Sequence, residues 1–158
     1  MHRIIALIVV AAASAAVLVG CSASGSSGSR HELYDSLDGL VAASEVIVTG
    51  TVTQQVGSGT TISTVEVGEA LLPSGFGTAT ITVRELGPPV LAVGDEYLLF
   101  LVPTELQGVP ADEYFVTGAQ AGIYRADDDA WVRALTDTGD TLPERITLDD
   151  VRQAASAG

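Results

Sequence analysis

The chain has 158 residues, of which seven are basic and 20 acidic, so its formal net charge is −13 at pH 7. A surface this acidic repels nucleic acid and anionic lipid head groups, because binding phosphates requires clustered Lys and Arg; nucleic acid is therefore excluded as a partner. One cysteine and two histidines supply too few ligands for zinc, haem or iron–sulfur centres, and no cofactor is predicted.

The first 20 residues have the layout of a secretory signal. A basic start that includes Arg3 precedes an uncharged apolar run over residues 4–19, and Gly20 stands before Cys21. The run spans 16 residues, fewer than the ~20 that a helix needs to cross the hydrocarbon core of a bilayer. We therefore predict a cleaved signal at 1–20. A plain secretory signal with an incidental cysteine and an uncleaved signal anchor are the alternatives.

The four residues Leu18, Val19, Gly20 and Cys21 resemble the lipobox of bacterial lipoprotein precursors at every position. The resemblance implies that Cys21 receives a diacylglyceryl thioether and becomes the first residue of the mature chain. Two acyl chains hold a protein durably on a bilayer, since each buried methylene contributes ~0.8 kcal/mol. We expect a protein anchored in the cell membrane through Cys21 and facing the extracytoplasmic side. Whether the Cys21 amine is also acylated stays open.

Cleavage would leave a mature chain of 138 residues, enough for one domain with a core. Because Cys21 is the only cysteine, its lipidation excludes an internal disulfide and thiol catalysis. The lipidated cysteine and a flexible Ser/Gly linker are predicted over 21–29, and a single domain over 30–158. Eight linker residues span roughly 15 Å as a random coil, so we expect the domain to lie close to the bilayer.

An amphipathic helix is predicted after the linker, over residues 30–43. Ser29 and Glu32 have the spacing of a capping box, in which the two side chains bond to each other's backbone N–H groups. Apolar residues then recur at helical intervals, at Leu33, Leu37, Leu40 and Val41. The pattern predicts that this helix packs on the strands that follow.

Six strands are predicted downstream from β-branched and alternating runs. They cover residues 46–53, 61–67, 79–84, 97–102, 114–125 and 131–135. The fourth run is apolar throughout, which indicates a central strand buried on both faces. Gly118 and Gly122 are predicted to interrupt the fifth strand, and an Asp-rich turn at 127–129 joins it to the sixth as a hairpin.

A short helix is predicted at the end of the chain. Thr147 is a favourable N-cap, and Asp149 and Asp150 place negative charge in the first turn, where the helix dipole favours it; the helix is expected to end near Ala155. The predicted fold class is mainly β, a small OB-fold-like β-barrel of five to six strands with a helix at each end.

Four segments resemble exported bacterial domains of the OB-fold type related to the tissue inhibitor of metalloproteinases and netrin modules. They read ASEVIVTG, VEVGEAL, VGDEYLLFL and GIY and lie within a region from about Leu40 to Leu135. The resemblance implies a barrel. The inhibitors bind a protease's metal through a free N-terminal cysteine and are held by disulfides, whereas Cys21 is expected to carry lipid and has no partner cysteine. Metalloprotease inhibition is therefore not expected.

Few residues are candidates for chemistry. His31, the only histidine after the signal, stands at the predicted helix start and is interpreted as a surface residue rather than a base or ligand. The acidic loops 127–129 and 137–140 offer oxygen atoms to calcium, but neither has the spacing of a calcium-binding loop. Whether they bind calcium stays open. We assign no catalytic residue and no metal ligand.

The aromatic residues near the hairpin are Tyr114, Phe115, Tyr124 and Trp131. We expect them to fill the barrel, and an outward-facing recognition patch is the alternative. The sequence thus favours a non-enzymatic domain that binds an unknown envelope protein or small ligand on a membrane anchor at Cys21. The alternatives are a carboxylate- or metal-dependent enzyme acting at the cell envelope and a structural envelope spacer.

Overall fold

A computed structural model describes residues 33–137 and 139–157 of the chain. Cys21, the linker, His31 and the predicted capping box lie outside the described residues. Within them the fold has two helices, α1 (Leu37–Ala42) and α2 (Leu148–Ala157), and eight strands. The strands are β1 (Val46–Val56), β2 (Thr60–Leu72), β3 (Thr80–Leu86), β4 (Glu96–Pro103), β5 (Glu113–Val116), β6 (Ile123–Asp127), β7 (Ala130–Arg133) and β8 (Arg145–Ile146).

Five of these strands close into a barrel. The order runs β1, β2, β3, β5, β4 and back to β1, and each pair is antiparallel except β3 with β5. The remaining strands, β6, β7 and β8, extend the sheet outward from β4. The predicted fold class, an OB-fold-like barrel with a helix at each end, is confirmed.

β4 is the central strand of the sheet. One edge pairs with β1, while the other edge is divided, its first half pairing with β6 and its second half with β5. Side chains alternate between two cores: Tyr97, Leu99 and Leu101 belong to the barrel core, and Leu98 and Phe100 to an outer core. All five are at most 2% exposed. The prediction of a strand buried on both faces is confirmed.

The outer core lies between the sheet and the two helices. α1 contributes Leu40 and Val41, and α2 contributes Val151 and Ala154. On the sheet side, Tyr124 and Trp131 of the β6–β7 hairpin complete it. Burial of this apolar surface stabilises both helices against the barrel, since each is too short to be stable alone.

The first helix is shorter than predicted and begins later. Its N-cap is Ser36 rather than Ser29, and the Ser36 hydroxyl accepts a hydrogen bond from the Gly39 N–H at 3.2 Å. Leu33, predicted to face the core, precedes the helix and is 58% exposed. The predicted span of 30–43 was therefore wrong at its start.

The reason is a set of long-range bonds to the segment before α1. The Tyr34 N–H donates to Asp140 Oδ1 at 2.6 Å, and the Tyr34 carbonyl accepts from the Thr141 N–H at 3.1 Å. These bonds occupy backbone groups that an earlier helix start would need for itself. Partners 106 residues apart in sequence leave no trace in the local pattern.

The final helix begins as predicted. The Thr147 hydroxyl accepts from the Asp150 N–H at 3.2 Å, and the Asp150 carboxylate accepts from the Thr147 N–H at 2.7 Å. This reciprocal arrangement satisfies two N–H groups at the helix start. The bonds from Thr147 also lower the pKa of the Asp150 carboxyl.

An ion pair closes the barrel where β3 meets β5. These strands pair over only three residues each, Thr82–Arg84 and 113–115. The Glu113 carboxylate accepts from Arg84 Nε at 2.6 Å and from Nη2 at 3.2 Å, and its side chain is 4% exposed. A two-point bond of this kind fixes both distance and orientation, so it reinforces one of the two short seams of the barrel.

We expect Glu113→Gln to lower the free energy of unfolding by about 2 kcal/mol or more, because Arg84 loses a charge-assisted partner in a largely buried place. Urea unfolding at pH 7 measures the loss. The matched control is Glu69→Gln, which removes an ion pair with Arg152 whose side chains are about half exposed. That pair contributes less than ~1 kcal/mol. Equal losses in the two variants would contradict a closing role for Glu113.

Candidate functional site

A pocket of about 400 Å³ opens at one end of the barrel. Three parts of the fold bound it: the connection between β3 and β4, the first residues of β4, and the β6–β7 hairpin. Its lining residues are Val90, Ala92, Asp95, Tyr97, Arg125, Asp127, Val132, Arg133 and Ala134. The pocket thus combines apolar walls with both signs of charge, as is common in small-molecule sites.

The sheet register brings two arginines to the pocket side. Tyr97 of β4 pairs with Arg125 of β6, Arg125 pairs with Val132 of β7, and Val132 pairs with Arg145 of β8. Paired residues project to the same face of a sheet, and neighbouring strands lie ~4.8 Å apart. Arg125 and Arg145 therefore flank Val132 in one row across four strands.

Each of these arginines faces a carboxylate. Arg145 Nη2 donates to Asp127 Oδ2 in a direct hydrogen bond. Arg125 Nη1 lies 4.0 Å from Asp95 Oδ2, and the two side chains are 64% and 44% exposed. That separation exceeds the 2.7–3.2 Å range of a hydrogen bond. The Arg125 guanidinium is thus held near its carboxylate without bonding to it.

The Tyr97 hydroxyl fixes the backbone of residues 90–92, which forms one wall of the pocket. It accepts from the Ala92 N–H at 3.1 Å and lies 3.4 Å from the Val90 carbonyl and 3.3 Å from Asp95 Oδ2, either of which accepts its proton. Burial raises the pKa of Tyr97, an effect that the Ala92 bond partly opposes. The hydroxyl therefore stays protonated at neutral pH and orients both the wall and Asp95.

Glu85 holds the same wall from behind. Its Oε1 accepts from the Val90 N–H at 2.8 Å and the Leu91 N–H at 3.4 Å, while Gln55 Nε2 donates to the Leu91 carbonyl at 2.5 Å. Glu85 is 5% exposed, and Oε2 has no hydrogen-bond partner among the described residues. Burial therefore raises the pKa of its carboxyl. Bonds on both sides make the wall a preformed surface rather than a loose loop.

On the opposite face of the hairpin, Arg133 is tied to the loop that follows β7. Its Nη1 donates to the Leu142 carbonyl at 3.2 Å, and its Nη2 lies 4.0 Å from Asp140 Oδ2. These side chains are 2% and 1% exposed. Nearby, burial raises the pKa of Tyr124 to about 12, and its hydroxyl donates to the Pro143 carbonyl at 3.0 Å. This cluster supports the hairpin on the face opposite Arg125, although Arg133 also contributes to the pocket lining.

The two acidic loops have structural partners. In the loop 127–129, Asp127 bonds to Arg145, and Asp128 adopts a left-handed φ of 53° in the hairpin turn. In the loop 137–140, Asp140 is buried against Arg133 and accepts from the Tyr34 N–H. Within residues 33–137 and 139–157, no three His, Cys, Asp or Glu side chains are grouped so that they could hold a metal ion.

Three of the four aromatic residues near the hairpin face a core. Tyr114 belongs to the barrel core, Tyr124 and Trp131 belong to the outer core, and Phe115 is half-buried. Tyr114, Tyr124 and Trp131 therefore do not form an outward recognition patch. The tyrosine that lines the pocket is Tyr97.

Sequence reasoning missed the residues that form the pocket. Asp95, Tyr97 and Arg125 come together only through the pairing of β4 with β6 and the placement of the preceding connection. One signal was present. The chain has no lysine and seven arginines, three of which fall between residues 125 and 145. In so acidic a chain, this clustering of cations indicates where charge complementarity is needed.

No protein-family model matches the chain, and no curated protein matches its sequence. Among the residues that the structure describes, none of the helices has both the length and the apolar character needed to span a membrane. The function of the pocket is therefore inferred from its own geometry and charges.

We expect Tyr97→Phe to lower the free energy of unfolding by about 1 kcal/mol, because the Ala92 N–H loses its acceptor. Hydrogen exchange should show faster exchange at the Ala92 amide. The matched control is Tyr114→Phe, since the described residues offer the Tyr114 hydroxyl no hydrogen bond. Unchanged exchange at Ala92 in Tyr97→Phe would show that the hydroxyl does not hold this wall.

Proposed function

We propose that the protein is a lipid-anchored extracytoplasmic binding protein that holds a small polar ligand in the pocket at the end of its barrel. One observation carries the binding half of this proposal: a preformed pocket in which Arg125 and Asp95 face each other 4.0 Å apart without a hydrogen bond. The lipobox ending at Cys21 supports the anchored half.

Preorganisation supports ligand binding at this place. The wall over residues 90–92 is bonded by Tyr97 on one side and by Glu85 and Gln55 on the other. A ligand that enters such a pocket need not order a loop, and the cost of ordering is one of the main losses in binding. A structural spacer has no need of such a wall.

The anchor supports a location at the membrane surface. Loss of Arg3 with the signal takes the formal charge from −13 to about −14, so the domain is repelled by anionic head groups. Attachment then depends on the acyl chains and not on the domain surface. The resemblance to OB-fold-type exported domains enters this proposal as a matter of fold, and no inhibitory activity is taken from it.

A second candidate, a carboxylate-dependent enzyme, is favoured by one observation: Asp95 and Asp127 both line the pocket. Glycoside hydrolysis needs one carboxyl held protonated as an acid and a second that is ionised. Each of these carboxylates faces an arginine, and the side chains are 44% and 50% exposed. An acid catalyst of this kind stands in an apolar, buried place, and neither carboxylate is buried in that way.

We expect mass spectrometry of the native protein to find an N-terminal peptide that begins at Cys21 and carries a diacylglyceryl group, because the lipobox directs both modification and cleavage. Wild-type protein should fractionate with membranes. Cys21→Ala should be neither lipidated nor cleaved at this site, whereas Ser22→Ala, just outside the box, should behave as wild type. An unmodified, soluble wild-type chain would contradict the anchor.

We expect the full-length protein, purified in detergent and incubated with a small-molecule extract of the bacterial envelope, to retain a ligand detectable by native mass spectrometry. Val132→Trp should abolish retention, since the indole fills the pocket from its apolar wall. The matched control, Leu106→Trp, places the same side chain at a 47% exposed site outside the pocket lining. Equal retention by both variants would overturn the pocket as the binding site, and a chemically converted ligand would favour the enzyme.

A further inference from the structure

We propose that the pocket binds an aliphatic α-amino acid as its zwitterion, with the carboxylate on Arg125 and the ammonium group on Asp95. The inference rests on the proposed binding function and names the ligand class of the same site. It follows from three features of the pocket: the loose ion pair, the charge of the rest of the protein, and the apolar walls.

The loose pair sets the spacing of the ligand's charged groups. Arg125 Nη1 and Asp95 Oδ2 are 4.0 Å apart, and an α-amino acid carries its ammonium and carboxylate groups on one carbon. A compact head group of this kind can contact both ions at once. Each ion then exchanges a distant attraction for a charge-assisted hydrogen bond, which is among the stronger polar interactions in proteins. The Tyr97 hydroxyl, 3.3 Å from Asp95 Oδ2, steadies the carboxylate.

The other described arginines are already committed. Arg84, Arg145 and Arg152 donate to carboxylates, and Arg133 donates to a backbone carbonyl. Arg125 is the described arginine for which the structure records no hydrogen bond from the guanidinium. The cation that a ligand carboxylate can engage without breaking an existing hydrogen bond is therefore in this pocket.

Net charge decides between a zwitterion and a simple ion. A purely anionic ligand meets the repulsion of a strongly acidic protein and brings a second negative charge beside Asp95. A purely cationic ligand meets Arg125 in the same way. A zwitterion satisfies both partners and adds no net charge, so neither penalty arises.

The apolar walls of the pocket indicate which side chain the ligand carries. Val90, Ala92, Val132 and Ala134 line the pocket beside the charged pair, and they offer an aliphatic side chain an apolar contact surface. The volume of about 400 Å³ is near the lower end for ligand pockets. It suits a single amino acid with a side chain such as that of valine, rather than a long peptide or polymer.

Isothermal titration calorimetry of the full-length protein in detergent tests this inference. The probes are L-valine, N-acetyl-L-valine, which lacks the ammonium charge, and L-valinamide, which lacks the carboxylate. We expect L-valine to bind about tenfold or more tightly than either derivative, since each loses one charge-assisted bond. Arg125→Gln and Asp95→Asn should each weaken L-valine binding by a similar factor; the two side chains are 64% and 44% exposed, and urea unfolding checks that both variants fold.

The matched control is Arg152→Gln, which removes a half-exposed arginine from α2, away from the pocket; L-valine should bind to it as to wild type. Equal binding of valine and N-acetylvaline, no binding of valine, or no effect of Arg125→Gln would overturn the zwitterion. These outcomes leave the proposed function in place as long as Val132→Trp still loses the envelope ligand. If Val132→Trp retains that ligand, the pocket is not the binding site, and both the proposed function and the zwitterion inference are contradicted.

Discussion

The divided edge of β4 is the constraint on which the rest of this structure depends. Because β5 occupies the second half of that edge, the barrel closes there. Because β6 occupies the first half, the sheet continues outward, and the β6–β7 hairpin borders the pocket with the β3–β4 connection. The residue after β5 and the residue before β6 both bond to Phe100: its carbonyl accepts from the Thr117 N–H, and its N–H donates to the Gly122 carbonyl. A Cβ at Gly122 would lie 3.0 Å from the Phe100 Cβ, so the crossover between β5 and β6 requires glycine there.

The second feature of the structure is the distribution of charge around the pocket. The protein is strongly acidic, yet the arginines on the pocket side of the hairpin are placed so that each faces a carboxylate. Arg145 and Asp127 satisfy each other by direct contact. Arg125 and Asp95 do not: the β4–β6 register and the bonded connection before β4 bring both residues to the pocket, and their charged atoms lie 4.0 Å apart. Opposite charges that are not hydrogen-bonded to each other can each bond to a ligand of matching charges without losing an existing hydrogen bond.

Local pattern predicted much of the fold and little of the site. The apolar run in β4 and the Thr147 cap follow from short-range rules that the structure obeys. The predicted fifth strand, 114–125, was wrong in its middle: the segment with Gly118 and Gly122 separates two strands, β5 and β6, which pair with different halves of β4. The start of α1 does not follow from short-range rules, because Tyr34 bonds to partners more than 100 residues away. The pocket could not be predicted from the sequence for the same reason. Tyr97 and Arg125 become neighbours through strand pairing, which no local spacing encodes. The clustered arginines indicated that the hairpin carries charge, but they did not indicate which residues lie across the pocket from it.

The central claim is that the end of the barrel, between the β3–β4 connection and the β6–β7 hairpin, is where this protein meets its ligand. The most direct test is an amide chemical-shift map of the ¹⁵N-labelled full-length protein in detergent, recorded before and after addition of an envelope small-molecule extract. The account predicts that shifts concentrate at residues 90–97 and 123–134. Shifts confined to the β2–β3 face or to the helices, with these two segments unchanged, would contradict it.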